Sequence, residues 1–569
     1  MSLIEGGAKL VFPALEKGDQ ELVSCPSPLR PDTGLPPLNI ANKVLAELPS
    51  AVQPPVLARA VRDDVRAFWR GEIAGEVREE HRGLLSHGID AAWDEQVETF
   101  LEFSAAWAPL RNYPDARKTV EQAVAARKNL RDFAPWQKLR AGVAKSSLDG
   151  ARETVLRREG RDEIQVRKYR IAKGEELDAV GLIKRTGGEP DPFVPIVNIA
   201  LASWLDLAQN KAHSELAHLR EACRDIKLAR VARHDLPCAR PLSFDASVLL
   251  PSRWRPLFEE QGLGDAQKAE AWGQDHVRPL LRVLGDPYPY VACLVADGDH
   301  MGRVIDSMES ADEHRQFSRQ LARFAGDARR IVEQEHRGSL VYAGGDDVLA
   351  FLPLPEVLAC AQALRCRFAE VMTLACGARR SEERPTLSVG VGVGHVLEGM
   401  GDLLALGRAA EQAAKGAKLR SENRDRNALA VVVDKRSGGR RSWRARWEDW
   451  SGDPVGRLRA DSLALEQHLS TRKVYEVART LARLPLPDCA REPGWDRVIA
   501  LEVERSLVRA HLAEGGGVKP ADVGLVLDRQ AGYAALYQEV SSWVERMLVA
   551  RAFAAAAPTL GRTAEEVAA

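Results

Sequence analysis

Apolar residues recur along this chain in two rhythms, and the rhythm switches several times between its ends. Lys9 to Phe12 is a short strand-like stretch, followed by a proline-rich loop from Cys25 to Pro37. Val61, Val65 and Phe68 then recur at spacings of four and three, which predicts an amphipathic helix over Val56 to Trp69; Val97, Phe100, Leu101 and Trp107 predict another. Residues 141 to 190 are polar, basic and punctuated by glycine, ending in Thr186-Gly187-Gly188-Glu189-Pro190, the character of a loop or inserted subdomain. Ile196 to Leu228 returns to helical spacing.

From 288 to 434 the pattern is the most regular. An apolar strand, Tyr290 to Ala296, runs into Asp297-Gly298-Asp299-His300-Met301-Gly302. A helix over 311 to 335 places Phe317, Leu321, Phe324, Ala328 and Ile331 on one face. Strands Leu340 to Ala343 and Val348 to Leu352 flank Gly344-Gly345-Asp346-Asp347, which predicts a hairpin with the diglycine at its turn. A helix at Leu354 to Cys376, a strand at Thr386 to Gly394, a helix from Asp402 to Leu419 and a strand at Ala428 to Val433 complete the series. The order β-α-β-β-α-β-α-β begins as the split βαβ arrangement of ferredoxin-like folds. The remaining residues are helical in period, with Val474, Val477, Leu481 and Leu484 as one stripe.

Composition narrows the class. The 569 residues correspond to three or four domains at roughly 150 residues each. With 45% hydrophobic and 28% charged residues, wholesale disorder is excluded. The net charge of −1 does not exclude a nucleic-acid partner, because phosphate is bound by local basic patches. No export signal opens the chain, and no apolar run approaches the roughly 20 residues of a membrane helix, so a cytoplasmic protein without a membrane partner is expected. The eight cysteines form no Cys-x-x-Cys pair, so neither a disulfide framework nor a zinc ribbon is expected. His213, His218 and Cys223 are five apart, which turns each about 140° around a helix and away from a shared ligand face.

Candidate chemistry sits where acids end apolar strands. Asp297 closes one strand, and Asp346 and Asp347 tip the hairpin, where Gly344 and Gly345 leave room for a phosphate or nucleotide. If these strands are neighbours, three carboxylates converge; such donors suit Mg²⁺ or Mn²⁺ with phosphate rather than zinc. Two such ions could activate an attacking hydroxyl and stabilise leaving pyrophosphate. A lone Gly-Gly-Asp-Asp is a common turn, but a turn alone does not predict the upstream acidic strand end. Lys415 and Lys418 lie three apart and could face a triphosphate together. Lys435, Arg436, Arg440, Arg441, Arg444 and Arg446 interleave with Trp443, Trp447 and Trp450, a mix that suits either RNA or a solvated linker beside buried tryptophans.

At these residues the chain resembles the large, polymerase-like subunit of type III CRISPR effector complexes, in the Cmr (III-B) branch. Ala296 to Gly302 resembles that branch's Asp-Gly-Asp-x-Met-Gly element, and Tyr342-Ala343-Gly344-Gly345-Asp346-Asp347-Val348-Leu349-Ala350 its palm motif. Leu387 to Val391, Asn427 to Gly438, Leu10 to Leu15, Asn42 to Pro49 and Glu176 to Arg185 resemble further parts of the family. The resemblance implies an α+β multidomain chain with two ferredoxin-like palm domains of the nucleotide cyclase and polymerase type, and helical domains between and after them. The expected division is 1–140, a degenerate palm with long helices; 141–287, a basic helical middle; 288–438, the catalytic palm; and 439–569, a helical domain.

The implied activity is conversion of ATP into cyclic oligoadenylates when the complex binds target RNA. Asp297, Asp346 and Asp347 would be metal ligands for two Mg²⁺ or Mn²⁺ ions, with Asp347 completing the site or aiding deprotonation of the 3′-hydroxyl. Gly344, Gly345 and Asp299 would serve the nucleotide, and Lys418 occupies the place of a phosphate-binding lysine. Guide RNA, target RNA, other Cmr subunits and small helical subunits are the implied partners. Many relatives begin with an HD nuclease, whose ligands are not visible upstream of the first palm; His234-Asp235 lies in mid-chain, and nuclease activity is expected to be absent. Two rivals stay open: a catalytically silent scaffold of the same complex, and a diguanylate-cyclase-like enzyme, whose usual Gly-Gly-Asp/Glu-Glu-Phe is not matched by Val348.

Overall fold

The computed structural model describes residues 7–14, 43–130 and 142–556, apart from 149, 170, 172–173, 188–193, 229, 232, 378–383, 437, 491–492 and 509–517. The Cys25 to Pro37 loop and Gly188 to Pro190 lie outside the described residues. Strands β1 (Lys9–Phe12) and β2 (Leu45–Glu47) form an antiparallel ribbon, and β3 (Tyr290–Asp299), β4 (Ser339–Ala343), β5 (Val348–Pro353), β6 (Thr386–His395), β7 (Ala428–Val433) and β8 (Arg441–Arg446) form a sheet in the order β4-β5-β3-β6-β7-β8. The first four strands of this sheet pair antiparallel throughout; β7 joins β6 in parallel and β8 closes the edge antiparallel. That is the expected split βαβ core, extended by a strand pair.

The central strands β3, β5, β6 and β7 are buried on both faces, which is why they read as nearly continuous apolar runs. Ala292, Leu294 and Ala296 of β3 face helices α1 (Ala311–Arg330) and α2 (Leu354–Cys376), whose Phe317, Phe324, Leu364 and Phe368 form the main core. Val291 and Cys293, on the alternate face, join a second core built from residues 194 to 284.

Strand β6 explains how its next helix comes so close. Val389, Val391 and Val393 point into the main core, while Gly390 and Gly392 face helix α3 (Met400–Lys415). A Cβ at Gly390 would run into the Glu411 amide nitrogen, and one at Gly392 into the Gly407 nitrogen. The alternating glycines let a helix backbone rest on the sheet.

Before residue 290, β1 and β2 are the strands among the described residues, so the four-stranded sheet of a first palm is not traced there. The ribbon docks on α1 instead: the Ala14 amide donates to Ser318 Oγ at 2.9 Å and Arg315 donates to the Leu10 carbonyl at 2.9 Å. The helix Tyr113–Asn129 reaches α1 as well, with Tyr113 Oη 2.6 Å from His314 Nδ1 and Arg117 2.5 Å from Asp306. Burial pushes His314 down to about 4, so its imidazole is neutral at physiological pH. The polar segment after 141 is not a separate body: Val155, Leu156, Leu177 and Leu182 share a core with Val77, Trp93 and Val97. The helix Pro54–Phe68 does form, but its apolar stripe is open to solvent, with Val65 and Phe68 exposed.

Beyond the sheet, the helices Pro454–Gln467, Thr471–Leu481, Trp495–Val508 and α4 (Tyr533–Ala556) pack around Val474, Val503 and Trp543. Asp461, fully buried, accepts from Arg546 and Arg457, both at 2.5 Å, and ties two of these helices together. Val549 and Phe553 of α4 enter the core of the sheet, so the helical domain and the palm are packed as one. Strand β8 carries the sheet beyond the boundary expected at 438.

Candidate active site

Antiparallel pairing sets β3 beside β5, and the hairpin of β4 and β5 therefore ends next to the acidic end of β3. Carboxylate oxygens of Asp297, Asp346 and Asp347 come within 4.8 Å of one another, as the strand-neighbour reading required. The hairpin loop is closed by the Gly344 amide donating to the Asp347 carbonyl at 3.1 Å. Gly345 has φ of +100°, a conformation open to glycine and strained for other residues. The Tyr342 hydroxyl covers Gly344 so closely that a side chain there would collide with it.

Asp346 rests against Gly298, where an added Cβ would lie 2.8 Å from the Asp346 Cβ and 2.9 Å from its Oδ2. Gly298→Ala is therefore expected to push Asp346 out of line and cut turnover by about tenfold or more, since a shift near 1 Å can cost that much. Steady-state kinetics of the assembled complex would show it; wild-type turnover would mean Asp346 has slack.

The electrostatics of the cluster suit a cation. Burial and the neighbouring Asp347 charge push Asp346 up to about 6, and burial raises Asp347 as well. Carboxylates held together and partly desolvated, with only Asp297 paired to a lysine, are what a hard divalent cation neutralises, so the residues fit Mg²⁺ or Mn²⁺. Because the bound form needs the carboxylate, Mn²⁺ affinity is expected to climb as pH rises toward about 6 and to level off above it. Calorimetric titration at pH 5, 6 and 7 checks this; affinity independent of pH would contradict the cluster's role.

Helix α3 supplies the positive counterpart. Lys415, its last residue, pairs with Asp297 and lies 3.2 Å from Glu411, one turn back. Burial lowers the Lys415 pKa, and Arg426 lowers it further. Gly416 takes the left-handed conformation and ends the helix, so Lys418 sits exposed on the turn Ala417–Glu422. Of the two lysines considered together, the structure brings Lys415 onto the acidic cluster. Glu411 was not anticipated; its spacing of four from Lys415, on a helix over a glycine strand, was the available signal.

Asp299 has a different environment from the other acids. It is buried, and accepts from Thr386 Oγ1 at 2.8 Å, Ser388 Oγ at 2.9 Å and the Asn427 amide at 3.0 Å, with Arg426 3.8 Å away. It clamps β6 and the entry to β7. Burial still raises its pKa despite these donors.

The basic stretch after β7 resolves into an edge strand. Trp443 and Trp447 are buried, Trp447 Nε1 donating to the Leu387 carbonyl at 2.9 Å, whereas Trp450 is partly exposed. Arg440 pairs with Asp434 at 3.1 Å and Arg441 with Glu545 at 2.8 Å. Away from the palm, His213 contacts Gln209 and His218 contacts His276, at 2.6 and 3.0 Å.

Residues 290–430, which hold every member of the acidic cluster, match the family model of the Cas10/Cmr2 second palm domain. The CRISPR system Cmr subunit Cmr2 of Pyrococcus furiosus is 28% identical over 362 residues, covering 57% of this chain and 38% of that protein. The chain thus spans well under half the length of this curated relative. Among solved structures, the type III-B Cmr-beta complex bound to cognate target RNA aligns at 13% identity with a TM-score of 0.47, covering 84% of this chain and 67% of that one. Its apo state gives 13% and 0.43, covering 72% and 57%.

Proposed function

We propose that this chain is a large subunit of the Cas10/Cmr2 kind, as the match of its palm to that family's second palm domain supports, and that it makes cyclic oligoadenylates from ATP within an RNA-guided complex. The observation that carries this is the convergence of Asp297, Asp346 and Asp347 from two adjacent strands, oxygens within 4.8 Å. In the reaction the 3′-oxygen of one ATP bonds to the α-phosphorus of another, the bond to the β-phosphate oxygen breaks, and pyrophosphate leaves. Two bound Mg²⁺ or Mn²⁺ ions would supply Lewis-acid polarisation of the hydroxyl and charge neutralisation on the phosphates.

The chain's own residues do the rest. Asp297 and Asp346 would hold the ions, and Asp347, the most exposed of the three, would complete the site or take up the hydroxyl proton. Gly345 leaves the hairpin backbone open to the nucleotide, and Gly344 would serve it only if the Tyr342 hydroxyl that covers it swings aside. Lys415 balances Asp297, while the exposed Lys418 reaches outward to the phosphates. Asp299 serves nucleotide binding indirectly, by holding Thr386, Ser388 and Asn427. The β1–β2 ribbon, docked on α1, would belong to the degenerate first palm expected within residues 1–140. Guide and target RNA, other Cmr subunits and small helical subunits complete a cytoplasmic complex.

The test is purification with co-expressed partners, addition of ATP, Mg²⁺ or Mn²⁺ and guide-matched RNA, and mass spectrometry of the products. Cyclic oligoadenylates that form only with matched RNA are expected. Products from GTP in preference to ATP would point to the diguanylate-cyclase reading, and intact ATP with bound RNA to a silent scaffold.

A further inference from the structure

We infer that Arg444, on the edge strand β8, is a positioning residue for the nucleotide site: it holds the loop 416–427 in a strained shape that sets Lys415 and Arg426 over Asp297 and Asp299. The inference rests on the proposed reaction at that site.

The loop is an unusual piece of backbone. Gly416, Asn423, Arg426 and Asn427 all have positive φ, of 53°, 54°, 58° and 43°. Gly416 accommodates this freely and asparagine fairly well, but arginine in the left-handed region is disfavoured and needs an external hold. The loop's place at the site explains why the strain is kept. Its first link is the end of α3, where Lys415 meets Asp297; its last is the Asn427 amide, which donates to buried Asp299 at 3.0 Å. Arg426 lies between, donating its own amide to the Lys415 carbonyl at 2.9 Å and bringing its guanidinium to 3.8 Å from Asp299.

Arg444 reaches three carbonyls, one in the last turn of α3 and two on the far side of this loop. Its Nε donates to the Ala414 carbonyl at 3.1 Å, and its Nη2 donates to the Arg424 carbonyl at 2.6 Å and the Arg426 carbonyl at 3.3 Å. One planar guanidinium thus joins the C-terminal end of α3 to the far side of the loop, which a lysine ammonium cannot reproduce. The absence of a side chain at Gly416 makes room, since a Cβ there would lie 3.0 Å from Arg444 Nε. Two residues along β8, Arg446 donates only to the Asn423 carbonyl among loop backbone oxygens, at 3.1 Å. Arg444, part of a basic stretch that suits either RNA or a solvated linker, is therefore directed at backbone carbonyls beside the proposed active site.

The experiment uses the assembled complex. Arg444→Met is expected to lower kcat for oligoadenylate formation by about tenfold or more, with target-RNA affinity unchanged and with faster amide exchange in 416–427 while β3 and β6 exchange at the wild-type rate. Arg444→Lys should recover only part of the loss, and added ethylguanidinium should restore Arg444→Ala. Arg441→Met, a charge-loss control at the start of the same strand, should leave turnover within about twofold. Wild-type turnover and exchange in Arg444→Met would overturn the inference, as would exchange that rises uniformly across the palm or a matching loss of RNA affinity. An Asp346→Asn arm separates the two levels: product persisting there refutes the reading of the site itself, whereas a dead Asp346→Asn beside a fully active Arg444→Met refutes the role of Arg444 alone.

Discussion

Changing Asp346 and Asp347 together to alanine is expected to reduce oligoadenylate formation by about a thousandfold or more while the complex still assembles. The expectation follows from where the two residues sit. They occupy a surface loop between β4 and β5, closed by the Gly344 to Asp347 backbone bond, and neither side chain supports the core, which lies behind Ala343 and Val348. Removing the carboxylates therefore strips the proposed cation site without undermining the fold. Native mass spectrometry of the purified complex and quantification of its products would decide the matter. Substantial product from the double variant would place the chemistry elsewhere.

Gly390→Ala is expected to have the second large effect, and through packing rather than chemistry. The new methyl would meet the backbone of Glu411 and Ala410 in helix α3, and backbone cannot turn aside as a side-chain end can. Overpacking of this kind costs about 3 kcal/mol, and relief requires α3 to lift from the sheet. Lys415 would then leave Asp297, and Glu411 would move with it. Loss of stability in urea unfolding should accompany loss of turnover; a variant with the wild-type midpoint and full turnover would show that α3 has freedom to shift. The same substitution at Gly394, which faces only side chains of Leu403 and Leu406, should be milder.

Much of the palm was legible because its elements carry strong periods. The strand at Ala428 to Val433 and the helix at Leu354 to Cys376 emerge with the limits expected, and β3 and β6 differ by a few residues at one end. Strand β8 was hidden by its composition: Trp443, Ala445 and Trp447 alternate with polar partners in a period of two, but the density of arginine suggests solvent or RNA. The middle region was misread for a related reason. Residues 155–183 look polar because their apolar residues are broken up by charges and glycines, yet Val155, Leu156, Leu177 and Leu182 meet the face of Val77, Trp93 and Val97 contributed from far away in the chain.

What this sequence determined by itself is local. Alternation and helical spacing place the elements, and the acids at strand ends and the glycines between them point to the candidate site, since each depends on a few neighbouring residues. Tertiary structure alone decided which groups meet. The pairing of β3 with β5 gathers three acids across some fifty positions, and the seating of α3 on a glycine face selects Lys415 over Lys418 at Asp297. Burial beneath Thr386, Ser388 and Asn427 turns Asp299 from an apparent twin of Asp297 into a clamp. Such outcomes depend on distances between residues remote in sequence, and these are set by the packing of the whole sheet rather than by any local preference of the chain.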